Sequence, residues 1–241
     1  MSIKLGINGL GRIGKLVLRL TLAQNNIEVV HINDMMNTEL MAHLLKYDSI
    51  HGKLNASVTF DDNHIIINDK PIRVTNATQP TEIPWEETGT EFVVDSSGRF
   101  KTYSTLEGHL KHGVKKVVLS CPPDDYSIER VVVMGVNQNT ILPSERIKTN
   151  ASCTTNCVAI MLKVLLNEFG IENAFMNTIH PTTNNQNLQD GYHSDYRRAR
   201  SAINNIIPTT SSAVRSVHRI FPELKEKFKG FATRIPILDC S

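Results

Sequence analysis

Cys153 stands in the run Asn150-Ala151-Ser152-Cys153-Thr154-Thr155-Asn156-Cys157. An apolar periodic stretch follows, with Val158, Ile160, Met161, Val164, Leu165, Leu166 and Phe169, and then Gly170. The spacing suits one face of a helix, and Gly170 stands where such a helix would end. Cys153 then falls in the first helical turn, beside backbone N–H groups without intrahelical partners. Those donors and the helix dipole favour a thiolate, which is the nucleophilic form of cysteine. Asn150, Ser152, Thr154 and Thr155 add short polar side chains suited to capping the helix or to holding an anion. Position alone allows an inert core cysteine equally well, because free cysteine is often simply buried. Cys153 and Cys157 lie one helical turn apart, but no His or acidic pair accompanies them, so no metal site is expected.

A second chemical signal lies near the N-terminus. Ile3 to Ile7 reads as a buried strand and runs into Gly9-Leu10-Gly11-Arg12-Ile13-Gly14. Ile13, Leu16, Val17 and Leu20 then mark an apolar helical face, and Ile27 to Ile32 reads as a second strand ending at Asn33-Asp34. Strand, glycine turn, helix, strand and acidic residue form the context that a dinucleotide-binding GxGxxG requires. In it Gly9 permits the tight turn, Gly11 lets the backbone approach a pyrophosphate, and Gly14 allows helix and strand to pack closely. Asp34 comes about twenty residues beyond the last glycine, where a carboxylate meets the adenosine ribose hydroxyls. A negative charge there repels a 2′-phosphate, so NAD is expected rather than NADP.

The elements that must position these groups follow from the rest of the chain. Its 241 residues suffice for one large or two modest domains, with 40% hydrophobic and 21% charged residues, the range of a globular chain. A net charge of +2 implies no general polyanion partner, so no nucleic acid is expected. The four cysteines at 121, 153, 157 and 240 lack the spacing of a disulfide framework, which fits a reducing compartment. With no signal peptide and no bilayer-length apolar run, a cytoplasmic protein without membrane contact is expected. Asn37 to Leu45 reads as a helix. Val58–Phe60, His64–Ile67 and Ile72–Val74 alternate as short strands of a small antiparallel excursion. Phe92–Asp95 and Lys116–Ser120 read as strands flanking a helix from Ser104 to His112, and Val131–Asn137 as a further strand and turn. Ile171–Ile179 predicts a long strand with His180 after it, Ala213–Ile220 a helix, and Phe231–Ile235 a strand carrying Arg234. Between them Pro181 to Ile207 is long, polar and aperiodic, a length usually tied to function.

The segment around Cys153, together with the glycine turn, resembles the phosphorylating glyceraldehyde-3-phosphate dehydrogenase family, and the likeness extends over residues 3 to 236. It implies an α/β chain, with an N-terminal Rossmann doubly wound parallel sheet over 1–150 and an α+β catalytic domain over 151–241. Relatives continue past this point with further strands and a final helix, so the catalytic domain is expected to be incomplete. The resemblance makes Cys153 the nucleophile and His180 its partner and general acid and base; from the residues alone, His180 at a strand end reads as structural. It implies cofactor contacts at Gly9, Gly11, Gly14, Asp34, Ser97, Gly98 and Ser120, and at the backbone of Arg12 and Ile13. Thr183 and Arg234 are implied to hold the substrate phosphate, and Ser152, Thr154, Arg198, Ser211 and Ser212 inorganic phosphate. A homotetramer is implied for the full-length family member.

Several positions depart from the family pattern. Thr78 stands where an Arg is frequent, Pro181 follows the His, Asn185 replaces a frequent Asp, and Ser212 replaces a glycine that approaches the anion. The activity expected is the NAD-dependent oxidation and phosphorylation of glyceraldehyde 3-phosphate to 1,3-bisphosphoglycerate. Gly191-Tyr192-His193 and Arg219-Ile220-Phe221-Pro222 look somewhat like the erythrose-4-phosphate dehydrogenase branch, which is one alternative. A catalytically impaired NAD-binding paralogue or fragment is the other.

Overall fold

A computed structural model of the chain describes residues 2–128 and 130–240. The chain forms two compact units, Met1–Val132 with Asn139–Ala151, and Val133–Gln138 with Ser152–Ser241.

In the first unit the chain runs through β1 (Ile3–Asn8), α1 (Arg12–Thr21), β2 (Ile27–Asn33), α2 (Thr38–Lys46), the short pair β3 (Tyr47–Asp48) and β4 (Gly52–Lys53), and then β5 (Val58–Phe60), β6 (His64–Ile67) and β7 (Lys70–Thr75). It continues with β8 (Phe92–Asp95), α3 (Tyr103–Leu106), β9 (Lys116–Leu119), β10 (Arg130–Val131) and β11 (Ile147–Thr149). One sheet takes the order β10-β11-β9-β8-β1-β2-β7-β6-β5. It is parallel from β10 through β7, and only the β7–β6 and β6–β5 pairs are antiparallel. The strand order reverses at β1, where a doubly wound sheet opens its ligand crevice. Ile7, Leu10, Leu18, Ile32, Met41 and Leu45 are all fully buried around β1 and β2, which fixes α1 and α2 against the sheet. On the other side of β1, Trp85, Val93, Leu106, Val117 and Leu119 form the second core of this unit.

The strands from Val58 to Thr75 pair antiparallel as expected, and β7 also pairs parallel with β2, so the crossover through α2 delivers them to the open edge of the main sheet. The strand and turn expected over Val131–Asn137 are both present, with the strand ending at Val131: Gly135 turns left-handed at φ +82° and the Asn137 side chain accepts the Val133 N–H that a ladder would have used. The helix expected from Ser104 tightens after Leu106 into a 3-10 turn over Glu107–Leu110, where Gly108 packs closely on Pro80 and Thr81.

The second unit holds α4 (Cys153–Glu168), β12 (Ala174–Pro181), β13 (Ile207–Thr209), α5 (Ala213–Ile220) and β14 (Phe228–Ile235). The sheet order is β12-β14-β13, with β12 and β14 parallel and β13 antiparallel. Leu162, Val217, Leu224 and Phe228 form its core. Of the expected apolar stripe of α4 only Val158 and Leu166 turn to the core. Val158, Leu162 and Leu166 pack inward, whereas Ile160, Met161, Val164, Leu165 and Phe169 are exposed, because α4 meets α5 and the sheet on one side only. His180 lies within β12 rather than after it, and β13, which no sequence pattern announced, completes the sheet. Residues 183–206 form turns and bends without helix or strand, held by internal bonds such as Ser201 N–H to Asp190 at 2.8 Å. Among the described residues no helix is long and apolar enough to cross a membrane.

Candidate active site

The glycine turn of the first unit is built by close approach. Gly9 sits at φ +93°, and a Cβ there would stand 2.5 Å from the Ser97 Cα. A Cβ on Gly14 would stand 2.1 Å from the Gly9 carbonyl oxygen. A Cβ on Gly11 would meet nothing within 4 Å, so open space lies in front of its backbone. Gly11 caps α1, whose first intrahelical bond is Lys15 N–H to Gly11 O at 3.1 Å. The Arg12, Ile13 and Gly14 N–H groups of that turn carry the positive end of the helix dipole, a ready anion cradle. The Arg12 guanidinium itself turns aside to the Asp48 carboxylate. Burial pushes Asp48 up, but the Ile50 and His51 N–H groups and Arg12 outweigh it and hold the carboxyl well below its usual range.

Asp34 accepts the Leu10 N–H at 2.6 Å and the Met36 N–H at 3.0 Å, which ties the carboxylate to the glycine turn. Beside it a cavity of about 160 Å³ is lined by residues that include Gly9, Asp34, Thr78, Ser97, Arg99 and Phe100. Ser97 donates to Asp95 at 2.7 Å, Gly98 turns left-handed at φ +70°, and the Ser120 N–H reaches the Asp95 carbonyl at 3.0 Å. Thr78 contacts Glu82 at 3.2 Å. An uncrowded helix N-terminus beside a carboxylate-rimmed cavity fits a dinucleotide, with its phosphates on the turn and its ribose against Asp34.

Beneath this crevice lies a polar network that the sequence motifs did not reveal. The buried Asp95 carboxylate accepts Asn8 Nδ2 at 2.7 Å and His109 Nε2 at 3.0 Å. Asn8 in turn accepts Asn33 Nδ2 at 2.9 Å, and Asn33 accepts the Ala77 N–H at 2.8 Å. Trp85 Nε1 donates to His109 Nδ1 at 3.2 Å, so the imidazole proton must sit on Nε2, facing Asp95. The signal was available: Asn8, Asn33 and Asp95 each end an apolar strand with a hydrogen-bonding side chain.

In the second unit Ser152 is the N-cap of α4. Its Oγ accepts the Thr155 N–H at 3.0 Å and lies 2.7 Å from Thr155 Oγ1. Cys153 is therefore the first helical residue, and it is exposed. Its Sγ lies 3.1 Å from His180 Nε2. The His180 bond lowers the thiol pKa; burial opposes this, and Thr154 adds to the lowering. By contrast burial pushes Cys121 up to about 11. His180 is 4% exposed, and its Nδ1 lies 2.8 Å from the Pro181 carbonyl and 2.6 Å from Arg234 Nη1.

The remaining positions fall into two groups of contacts. Arg198 donates to Thr209 at 2.7 Å and to Thr210 at 3.0 Å, and its charge is felt by Arg234. Thr183 turns toward Gln186, which accepts its N–H at 3.0 Å; the buried Gln186 was not singled out in the sequence. Ser211 accepts the Ala213 N–H at 3.3 Å. Ser212 sits at φ −70° in ordinary helical backbone, so a side chain costs nothing conformationally where a glycine was expected.

The doubly wound sheet with its glycine turn places the chain among the NAD-binding dehydrogenases of α/β fold, and the matched family bears this out. Residues 3–103 match the NAD-binding domain of glyceraldehyde 3-phosphate dehydrogenase and residues 152–241 its C-terminal domain. The chain belongs to the glyceraldehyde-3-phosphate dehydrogenase family. It is 45% identical to a glyceraldehyde-3-phosphate dehydrogenase of Priestia megaterium over 98% of this chain and 70% of that protein. It is 46% identical to glyceraldehyde-3-phosphate dehydrogenase 1 of Bacillus cereus over 99% of this chain and 71% of the relative. A third relative, from Geobacillus stearothermophilus, is 46% identical over 98% of this chain and 70% of its own length.

Proposed function

We propose that this chain oxidises glyceraldehyde 3-phosphate with inorganic phosphate to 1,3-bisphosphoglycerate, with Cys153 as nucleophile and His180 as general acid and base. The observation that supports it most is the 3.1 Å contact of Cys153 Sγ with His180 Nε2 at the start of α4. A thiolate there has a hydrogen-bond donor and a helix N-terminus beside it, the two standard ways of holding sulfur in its reactive form.

Cys153 Sγ attacks the aldehyde carbon, and the carbonyl oxygen takes up the proton that His180 carries on Nε2. His180 then removes that hydroxyl proton as the thiohemiacetal is oxidised to a thioester. NAD, held by the Gly9–Gly14 turn and Asp34, with Ser97, Gly98 and Ser120 along the same strand ends, supplies the hydride acceptor. A phosphate oxygen attacks the thioester carbon, the carbon–sulfur bond breaks, and the thiolate returns to His180. The Cys153 N–H, free in the first helical turn, is placed to receive the oxyanion. Thr183 and Arg234 take the substrate phosphate. Ser152, Thr154, Arg198, Ser211 and Ser212 take inorganic phosphate. We take the enzyme to be cytoplasmic, and homotetrameric at the relatives' full length, as the family resemblance implies.

NADH formation from glyceraldehyde 3-phosphate, with and without phosphate or arsenate, tests the proposal beside a Cys153→Ala control. Phosphate-dependent turnover that vanishes in the control is the expected result. Turnover indifferent to phosphate would point instead to an erythrose-4-phosphate type of reaction, and intact NAD binding without turnover to an impaired paralogue.

A further inference from the structure

We propose that His109 is a positioning residue for the cofactor: acting through Asp95, it fixes the Ser96-Ser97-Gly98 turn at the crevice and makes the Ser97 oxygen an acceptor for a ribose hydroxyl. The inference rests on the reading of Gly9, Asp34 and Ser97 as the dinucleotide site. It names the residue beneath that site on which the site's shape depends.

The Asp95 carboxylate is fully buried, and its two oxygens serve different partners. One accepts the Ser97 N–H at 3.1 Å and the Ser97 hydroxyl at 2.7 Å. The other accepts Asn8 Nδ2 at 2.7 Å and His109 Nε2 at 3.0 Å. Asn8 and Ser97 line the cavity beside Asp34, whereas His109 does not. His109 is fully buried, so among the donors to Asp95 it is the one that holds the carboxylate from outside the cavity. It arrives on the 3-10 turn over Glu107–Leu110, anchored where Gly108 packs on Pro80 and Thr81. Trp85 Nε1 steadies the ring by donating to its Nδ1 at 3.2 Å. The terminal torsion of an aspartate is soft, so pinning one oxygen fixes the direction of the other.

That direction matters because the Ser97 turn and the glycine turn pack as one piece. A Cβ on Gly9 would stand 2.5 Å from the Ser97 Cα, and the Ser96 hydroxyl donates to the Gly9 carbonyl at 2.6 Å. With so little clearance, a Ser97 that shifts carries the glycine turn with it.

The hydrogen bonds also set the polarity of Ser97. Trp85 gives a proton to His109, and His109 and Ser97 each give one to Asp95, so the Ser97 hydroxyl proton is spent inside the protein. A hydroxyl has one donor and two acceptor lone pairs. The Arg99 N–H takes one lone pair at 3.2 Å, which leaves the other for a ligand. An oxygen that can only accept suits the O–H of a ribose and repels the oxygens of a phosphate. Among the described residues no Lys or Arg pairs with Asp95, and its uncompensated charge favours the same choice.

The test is calorimetric titration of the full chain with NAD, with no substrate present. His109→Phe keeps a ring but removes the donor, and should weaken NAD about tenfold. His109→Gln returns an N–H near the Nε2 position and should restore most of that loss. Ser97→Ala should weaken NAD to a similar extent, and adding His109→Phe to it should cost little more, because both act through one side chain. Ile65→Ala opens a cavity in β6, toward the edge of the sheet, and should lower stability while leaving NAD affinity unchanged. If affinity instead follows thermal stability across all the variants, His109 is a core residue only and the proposal falls. It falls equally if His109→Phe binds NAD as the wild type does, or if the effects of His109→Phe and Ser97→Ala simply add. Should His109→Phe fail to fold, hydrogen exchange in the wild type decides. NAD should then slow the Ser97 N–H and the His109 ring N–H together, and a ring proton that exchanges as before overturns the proposal. A wild type that binds no NAD would sink the reading of the crevice itself, an outcome visible before any variant is made.

Discussion

Cys153 and His180 meet at 3.1 Å although one begins α4 and the other closes β12. Cys153 is exposed, and the His180 contact and the Thr154 N–H both favour its thiolate. Cys121 has neither, and burial pushes it up to about 11. Limiting iodoacetamide at neutral pH should therefore label Cys153 well before Cys121, as read by peptide mass spectrometry. His180→Asn should slow labelling of Cys153 and cut turnover by about 10²–10⁴-fold. Equal labelling of both cysteines would remove the physical case for a thiolate at Cys153.

Gly11 and Gly14 separate cofactor binding from folding. Gly11 has φ −69° and open space before it, so Gly11→Ala should cost only the modest N-cap loss, up to about 1 kcal/mol. Its methyl group projects where a pyrophosphate would approach, so NAD affinity should drop. Gly14→Ala forces a carbon to 2.1 Å from the Gly9 oxygen and 2.8 Å from Ser96 Oγ. It should cost about 1–3 kcal/mol of stability as well as NAD binding. Denaturant melts beside NAD titrations check both, and a Gly11→Ala protein that binds NAD as the wild type does would refute the assignment.

These two sites were legible because their logic is local. The glycine spacing, Asp34, the Ser152 cap and the helix after Cys153 lie within short windows, where period and capping rules apply. The contact between His180 and Arg234 was not legible. It depends on the parallel register of β12 with β14, and β14 begins at Phe228, earlier than its apolar pattern suggests. The exposed half of α4 misled for a related reason: periodicity announces an apolar stripe but not how many partners cover it. β13 escaped notice because three residues around Pro208 carry too little pattern to read. The Asp95 network was written in single strand-end residues, each of which alone reads as ordinary strand termination.

His31 gives the fold a pH dependence of known sign. It is fully buried between Thr75 and Thr88, edge-on to Trp85, and burial followed by the charge of Arg73 lowers its pKa to about 4. The unfolded chain binds that proton near pH 6.5, while the folded chain resists it until about 4. Stability is therefore fully present above about 6.5 and falls as the pH drops toward 4, by roughly 2 kcal/mol between pH 7 and 4.5 from this residue alone. Urea unfolding at the two pH values should show that increment in the wild type and not in His31→Gln. An identical pH increment in the variant would place the loss elsewhere.

Asp34 is tied by hydrogen bonds to the glycine turn, and its proposed part in cofactor choice can be tested. Its two oxygens accept Leu10 N–H at 2.6 Å and Met36 N–H at 3.0 Å, so the carboxylate is held rigid with its charge at the edge of the cavity beside Ala77 and Thr78. A fixed negative charge there repels the 2′-phosphate of NADP, and the hydrogen-bonded geometry prevents it from swinging aside. Asp34→Asn removes the charge but keeps the size. One amide group cannot accept both N–H bonds, because its nitrogen is itself a donor. The variant should therefore lose about 1–2 kcal/mol of stability from one orphaned backbone donor. It should also lose much of its discrimination, with NADP binding gaining relative to NAD, as paired titrations at fixed ionic strength would measure. If NADP stays as strongly excluded as before, the carboxylate is a structural anchor of the turn and the selectivity is steric.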